Sequence, residues 1–74
     1  MDGLQPNELR SGRWCIGDRD LQDGDLIEVL LEGRWRVARY EYKLPAHEYR
    51  LKVDGKHIDI IAGTQARRFP FKAA

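Results

Sequence analysis

Arg34, Arg36 and Arg39 lie within six residues of one another and are interleaved with Trp35, Tyr40 and Tyr42 in the run RWRVARYEY. Guanidinium groups contact phosphates and aromatic rings offer faces for unpaired bases, which is how small β-barrels hold single-stranded nucleic acid. A second group, Arg67, Arg68 and Lys72 beside Phe69 and Phe71, sits near the C-terminus. Arginine and aromatic side chains also dominate the energetic centres of protein–protein interfaces. The candidate binding residues are therefore Arg34, Arg36, Arg39, Arg67, Arg68, Phe69 and Phe71, and they suit two classes of partner.

The run GDRDLQDGD, Gly17 to Asp25, raises a different chemistry, because hard cations take several carboxylate oxygens from a tight turn. Counted as a calcium loop from Asp18, positions 1 and 3 match as Asp18 and Asp20. Position 5 is Gln22, the glycine comes one place late at Gly24, and position 12 is Val29. The flanks carry no helical period, which such a loop requires. Aspartate and glycine are also the ordinary builders of turns, so the segment reads as structural. Cys15, His47 and His57 supply a thiol and two imidazoles without zinc spacing. A buried cysteine behaving as a small hydrophobe is the expectation for Cys15. No catalytic set is nominated, and no metal or cofactor is expected.

Seventy-four residues allow a single domain. The composition, 42% hydrophobic and 34% charged, is that of a soluble globular chain, and no apolar run is long enough to span a bilayer. The N-terminus lacks the pattern of a secretory signal, and one cysteine fits a reducing cytoplasm. The net charge of +1 hides an asymmetry. Residues 1–30 carry three basic and seven acidic groups, residues 31–50 five and three, and residues 51–74 five and two. Such a layout can steer a partner but is not that of a strongly basic nucleic-acid binder.

The elements that must position these groups are strands. Trp14 and Ile16 alternate with Arg13 and Cys15, and Leu21 is the one apolar anchor of the acidic loop. DLIEVLL puts Ile27, Val29 and Leu31 on one face, and Glu32-Gly33 turns the chain. In the next strand Trp35 and Val37 are expected inward. A bulge near Val37-Ala38 would then return Ala38, Tyr40 and Tyr42 to the core. Tyr49, Leu51 and Val53 alternate with Arg50 and Lys52, Asp54-Gly55 reads as a type I′ turn, and Ile58 and Ile60 follow on one face. Ala66 to Phe69 is a last short strand or a 3₁₀ turn. The organisation expected is a flexible leader over 1–12, one β domain over 13–69 and a tail over 70–74. The fold class is all-β, a small SH3-like barrel of five to six antiparallel strands, because a sheet this small buries a face by curling on itself.

Trp14, the L-x-x-G-D-x-I-E-V run from Leu21 to Val29, the G-x-W of Gly33 to Trp35, and Arg39-Tyr40-Glu41 carry a resemblance. The chain to about Arg68 resembles a small uncharacterised domain family of bacteria and their mobile elements. Its cadence is similar to SH3-like barrels, including Tudor-like and ribosomal-type modules, although no set of Tudor cage positions matches. The resemblance implies the fold and leaves the function open. Small size, the lack of a catalytic set, the divided charge and the surface-prone aromatics Trp14, Phe69 and Phe71 suggest an accessory or inhibitor protein of a phage or mobile element, acting on a host complex. The function expected is a non-catalytic protein-interaction module in the cytoplasm, monomeric or homodimeric and without membrane contact. RNA or single-stranded DNA binding through the basic and aromatic strand is the alternative.

Overall fold

A computed structural model describes residues 3–69. All of its regular structure is β, in eight strands: β1 Leu4–Pro6, β2 Trp14–Ile16, β3 Arg19–Asp20, β4 Leu26–Leu31, β5 Arg34–Lys43, β6 Glu48–Val53, β7 Lys56–Ile58 and β8 Ala66–Arg68. They form two antiparallel sheets, ordered β1-β2-β3 and β7-β6-β5-β4-β8. The all-β class expected from the sequence is present, while the strands are divided between two sheets and do not close into one barrel. No helix among the described residues is long and apolar enough to cross a membrane.

Two hairpins set the frame of the larger sheet. Glu32 and Gly33, at φ 50° and 77°, join β4 to β5, and Asp54 and Gly55, at 52° and 78°, join β6 to β7. Positive φ at both central residues is the type I′ signature, whose twist matches the strands it connects. Glycine supplies the second position in each turn without a steric penalty. The 32–33 turn pairs Leu31 with Arg34, Leu30 with Trp35 and so on without interruption to Leu26 with Arg39. There is therefore no bulge at Val37-Ala38. The residues of β5 that share the core face with Ile27 and Val29 are Arg36, Ala38 and Tyr40, while Trp35, Val37 and Arg39 point the other way. Trp35 and Val37, expected inside, are 37% and 46% exposed.

The core consists of Leu4, Ile16, Leu21, Ile27, Val29, Ala38, Tyr40, Leu51, Val53 and Ala66, with Trp14, Tyr49, Ile58 and Ile60 packed against it. Trp14 is thus partly buried against the core. Tyr40 and Tyr49 stack at 4.4 Å between centroids and 7° between planes. The tyrosine hydroxyl, buried with its ring, accepts the backbone N–H of Trp14 at 3.2 Å. One aromatic side chain of β5 thereby ties the larger sheet to the smaller.

The expected leader over residues 1–12 is corrected at its centre. Leu4 is completely buried, and β1 pairs with β2 in the register Leu4 with Ile16. The Leu4 N–H donates to the Thr64 carbonyl and its own carbonyl accepts from Gly63, both at 2.8 Å. These bonds stitch the smaller sheet to the segment that leads into β8. Met1, Asp2 and the expected tail over 70–74 lie outside the described residues.

The acidic loop supports β5 from the side that β4 no longer reaches. Gly24 N–H donates to the Tyr40 carbonyl at 2.7 Å, and Tyr40 N–H to the Asp25 carbonyl at 2.9 Å. The Tyr42 N–H then donates to Asp23 Oδ1 at 2.8 Å. Asp25 Oδ2 accepts from Gln22 N–H at 2.9 Å, and Asp20 Oδ1 accepts from Asn7 at 2.6 Å. Three of its carboxylates thus have protein donors, in keeping with a structural turn.

Candidate functional site

Alternation in β5 divides the nominated arginines between two faces. Arg34 and Arg36 lie on the core-side face near the turn, opposite Leu31 and Val29. Arg39 lies on the outer face of the central strand, between Leu26 of β4 and Lys52 of β6. In β8, Arg67 stands opposite Glu28 on that outer face, and Arg68 opposite Ile27 on the inner one. The structure brings together Arg67 and Trp35, and leaves Arg34, Arg36 and Arg68 elsewhere. Phe69 is half-buried just beyond β8, and Phe71 lies outside the described residues.

Several of these arginines serve the fold. Arg36 forms an ion pair with Asp54 across the ends of the two hairpins. Arg67 Nε donates to Glu28 Oε1 at 2.9 Å. Arg68 donates from Nη1 to Asp25 Oδ2 at 3.2 Å and from Nη2 to the Asp20 carbonyl at 2.9 Å, clamping β8 to the acidic loop. Arg34 and Arg39 have no ion pair among the described residues.

What the outer face of the larger sheet does carry is an apolar patch. Leu26, Trp35 and Val37 are 44%, 37% and 46% exposed, and Leu30 is paired with Trp35 beside them. The Arg67 guanidinium lies over the Trp35 ring at 4.0 Å from its centroid, a cation–π contact held in place by Glu28. The patch is therefore a tryptophan with a fixed basic lid, flanked by aliphatic side chains and by Arg39.

At the other end of that face the side chains are polar. His57 and Glu41 share a hydrogen bond of 2.9 Å between Nε2 and Oε1. That bond, with Lys52 and Lys43 adding attraction, holds the Glu41 carboxyl below its ordinary value of 4.5. A carboxylate whose folded value is depressed stabilises the fold above its unfolded value, and that contribution is lost as pH falls through the folded one. The melting temperature should therefore fall on acidification below pH 4.5, and less steeply in Glu41→Gln. Parallel acid limbs for the two proteins in thermal melts would remove Glu41 as a contributor.

Cys15, His47 and His57 each have a different partner. The Cys15 thiol donates to the Gln5 carbonyl at 3.5 Å, and Tyr42 Oη and His47 Nδ1 share a bond of 3.0 Å. Among the described residues no group of three or more His, Cys, Asp or Glu side chains is placed to hold a metal ion.

Sequence reasoning missed Leu26, Val37 and Glu28 as members of a surface, and its strand pattern turns Trp35 inward although the ring is also offered as a face for unpaired bases. The signal that finds them is the two-residue turn at Glu32-Gly33, which pairs the odd-numbered residues of β5 with Leu26, Glu28 and Leu30. No family model, curated protein or solved structure matches the chain.

Proposed function

We propose that the protein is a non-catalytic binding module that engages another protein through the outer face of its five-stranded sheet, centred on Trp35. The observation that carries this reading is the exposure of Leu26, Trp35 and Val37 side by side on one face. Isolated exposed apolar residues are ordinary, but a contiguous group containing a tryptophan and an ordered arginine has the composition of an interface centre. Arg39, without an ion pair at the edge of the patch, favours a partner whose apolar anchor is bordered by carboxylates. The partner in this reading is a protein component of a host complex.

The architecture is read as an open SH3-like barrel. Supporting this are the antiparallel pairing throughout, the smaller sheet joined to the larger through Leu4, and the type I′ hairpins.

The nucleic-acid alternative has less support. A single strand needs several unneutralised cations along one face. Arg36, Arg67 and Arg68 are each paired with a carboxylate of the chain, and the remaining Arg34 and Arg39 lie on opposite faces of β5. Affinity for single-stranded DNA or RNA should therefore lack the steep fall between about 50 and 200 mM salt that several phosphate contacts produce.

The direct test is a photo-crosslinking side chain at Val37 in the native host, with one at Arg34 as the opposite-face control. A discrete protein adduct is expected from Val37 alone, and Trp35→Ala should abolish it while the protein still unfolds cooperatively, with at most a modest fall in melting temperature from the lost Arg67 contact. Losing such an anchor costs about 2 kcal/mol or more of binding, so affinity for the captured partner should drop by at least about thirtyfold. Adducts from Arg34 instead, or adducts indifferent to Trp35→Ala, would overturn the assignment.

A further inference from the structure

A cavity of about 450 Å³ opens on the side of β5 away from Trp35, lined by Ser11, Gly12, Arg13, Tyr42, His47 and Tyr49. Three separate segments build it: the loop before β2, the inner face of β5 with its β6 partner, and the loop between those strands. We propose that this cavity is a binding site for a nucleoside monophosphate, with the phosphate on Arg13 and the base against the exposed Tyr42 ring.

The electrostatics select an anion. The lining holds one guanidinium and no carboxylate, and Arg13 has no ion pair among the described residues. Its guanidinium instead lies over the Tyr49 ring, 5.6 Å from the centroid. An arginine resting on a ring and free of carboxylates presents its fork to a phosphate without having to break a stronger bond first. A cationic ligand is disfavoured because Arg13 already occupies the Tyr49 face.

Other residues lining the same space carry donors. Tyr42 Oη and His47 Nδ1 share one proton across their 3.0 Å bond. If tyrosine donates, the neutral histidine carries its proton on Nε2; if histidine donates, the tyrosine hydroxyl keeps a hydrogen of its own to give. Either arrangement leaves a donor for a ligand oxygen, and Ser11 adds a hydroxyl.

The aromatic geometry supplies the planar half of the specificity. Tyr42 and Tyr49 meet at 60° with centroids 4.9 Å apart, forming a corner, and Tyr49 is backed by the buried Tyr40 at 4.4 Å. Tyr42 is 41% exposed, so it has ring surface to give to a base. Its orientation is fixed by His47, whose φ of 55° lies in the left-handed region. Such backbone is held at a cost and concentrates at ligand clamps. The volume suits a small ligand.

The experiment is a titration followed by backbone and indole amide NMR, using adenosine 5′-monophosphate, a 5′-phosphorylated dinucleotide, adenosine and inorganic phosphate. The two nucleotides should shift the amides of Arg13, Tyr42, His47 and Tyr49 saturably, while the Trp35 indole stays in place. Whichever of the two binds more tightly tells a free nucleotide from a strand end. Adenosine and phosphate alone should each bind at least about tenfold more weakly, since each lacks one half of the recognition. Arg13→Gln should lose about tenfold or more, the loss expected for one charge-assisted contact, and Arg13→Lys should recover part of it. Both variants should melt as the wild type does, and neither should alter crosslinking from Val37, so the two sites fail independently. No saturable shift at millimolar nucleotide, or phosphate binding as well as the nucleotide, would overturn the proposal.

Discussion

Tyr40→Ala should abolish cooperative folding under conditions in which Tyr40→Phe remains folded. Tyr40 is completely buried at the middle of the central strand, stacked on Tyr49, and its hydroxyl accepts the Trp14 N–H. Truncating a buried aromatic to alanine costs about 3–5 kcal/mol. A chain of 74 residues has about 4–11 kcal/mol in all on the usual per-residue range, so the truncation removes a large share of it. Tyr40→Phe keeps the ring and the stack and leaves one N–H without its acceptor, a loss of about 1–3 kcal/mol. Urea titrations followed by far-ultraviolet circular dichroism measure both. A sigmoidal transition for Tyr40→Ala at the wild-type midpoint would refute the central role given to this ring. The phenol adds a second, alkaline signature. Burial raises its ionisation above the ordinary value of 10, so the unfolded chain releases this proton first. Stability due to the buried phenol is intact below pH 10 and declines above it, and Tyr40→Phe should flatten that decline.

Register arithmetic explains why part of the surface was legible and part was not. The patterns of β4 and β6 and the turn at Asp54-Gly55 are local, and each was readable from a few consecutive residues. Trp35 is different. Its hydrophobicity argues for the core, and placing it there required a bulge further along. The uninterrupted pairing that starts at Leu31 with Arg34 puts Ala38 opposite Ile27, so Trp35 falls on the outer face. A two-residue turn fixes the facing of every later residue, and in β5 that constraint overrides the side chain's own preference. The exposed tryptophan is thus a place where local chemistry and global geometry disagree, as happens at functional or strained sites.

Other parts depend on contacts that no window of sequence contains. Strand β3 is two residues long, too short for any alternation to show. Arg67 with Glu28 and Arg68 with Asp25 are separated by 39 and 43 positions, and they meet because β8 returns to pair with β4. Arg67 and Arg68 therefore look free in the sequence and are paired in the fold. The corner formed by Arg13, Tyr42 and Tyr49 is likewise an assembly of remote segments. The aromatics of RWRVARYEY were visible as a group, but the strand deals them to opposite faces, Trp35 to one surface and Tyr42 to the other.

Leu4→Ala should cost about 2–5 kcal/mol, the range for a buried leucine whose cavity cannot fully collapse, even though the residue lies in a stretch that reads as a leader. Leu4 is completely buried, whereas Leu9, five positions later, is 94% exposed. Leu9→Ala is therefore the matched control and should stay within about 0.5 kcal/mol of wild type. The difference arises from what Leu4 joins. Its side chain enters the core shared with Ile16, Leu21 and Tyr40, and its two backbone bonds to Gly63 and Thr64 connect the smaller sheet to the chain entering β8. Hydrogen exchange adds a readout that alanine substitution alone does not: the Leu4 amide should be protected in the wild type, while the Leu9 amide, in a solvent-exposed bond of 2.8 Å to the Asn7 side chain, exchanges faster. Equal urea midpoints for the two leucine variants would return residues 1–12 to the status of a leader. A large loss in Leu4→Ala alone carries a consequence for the cavity as well. Ser11, Gly12 and Arg13 hang from the loop between β1 and β2, so the strand that Leu4 anchors is also what holds the Arg13 guanidinium over Tyr49.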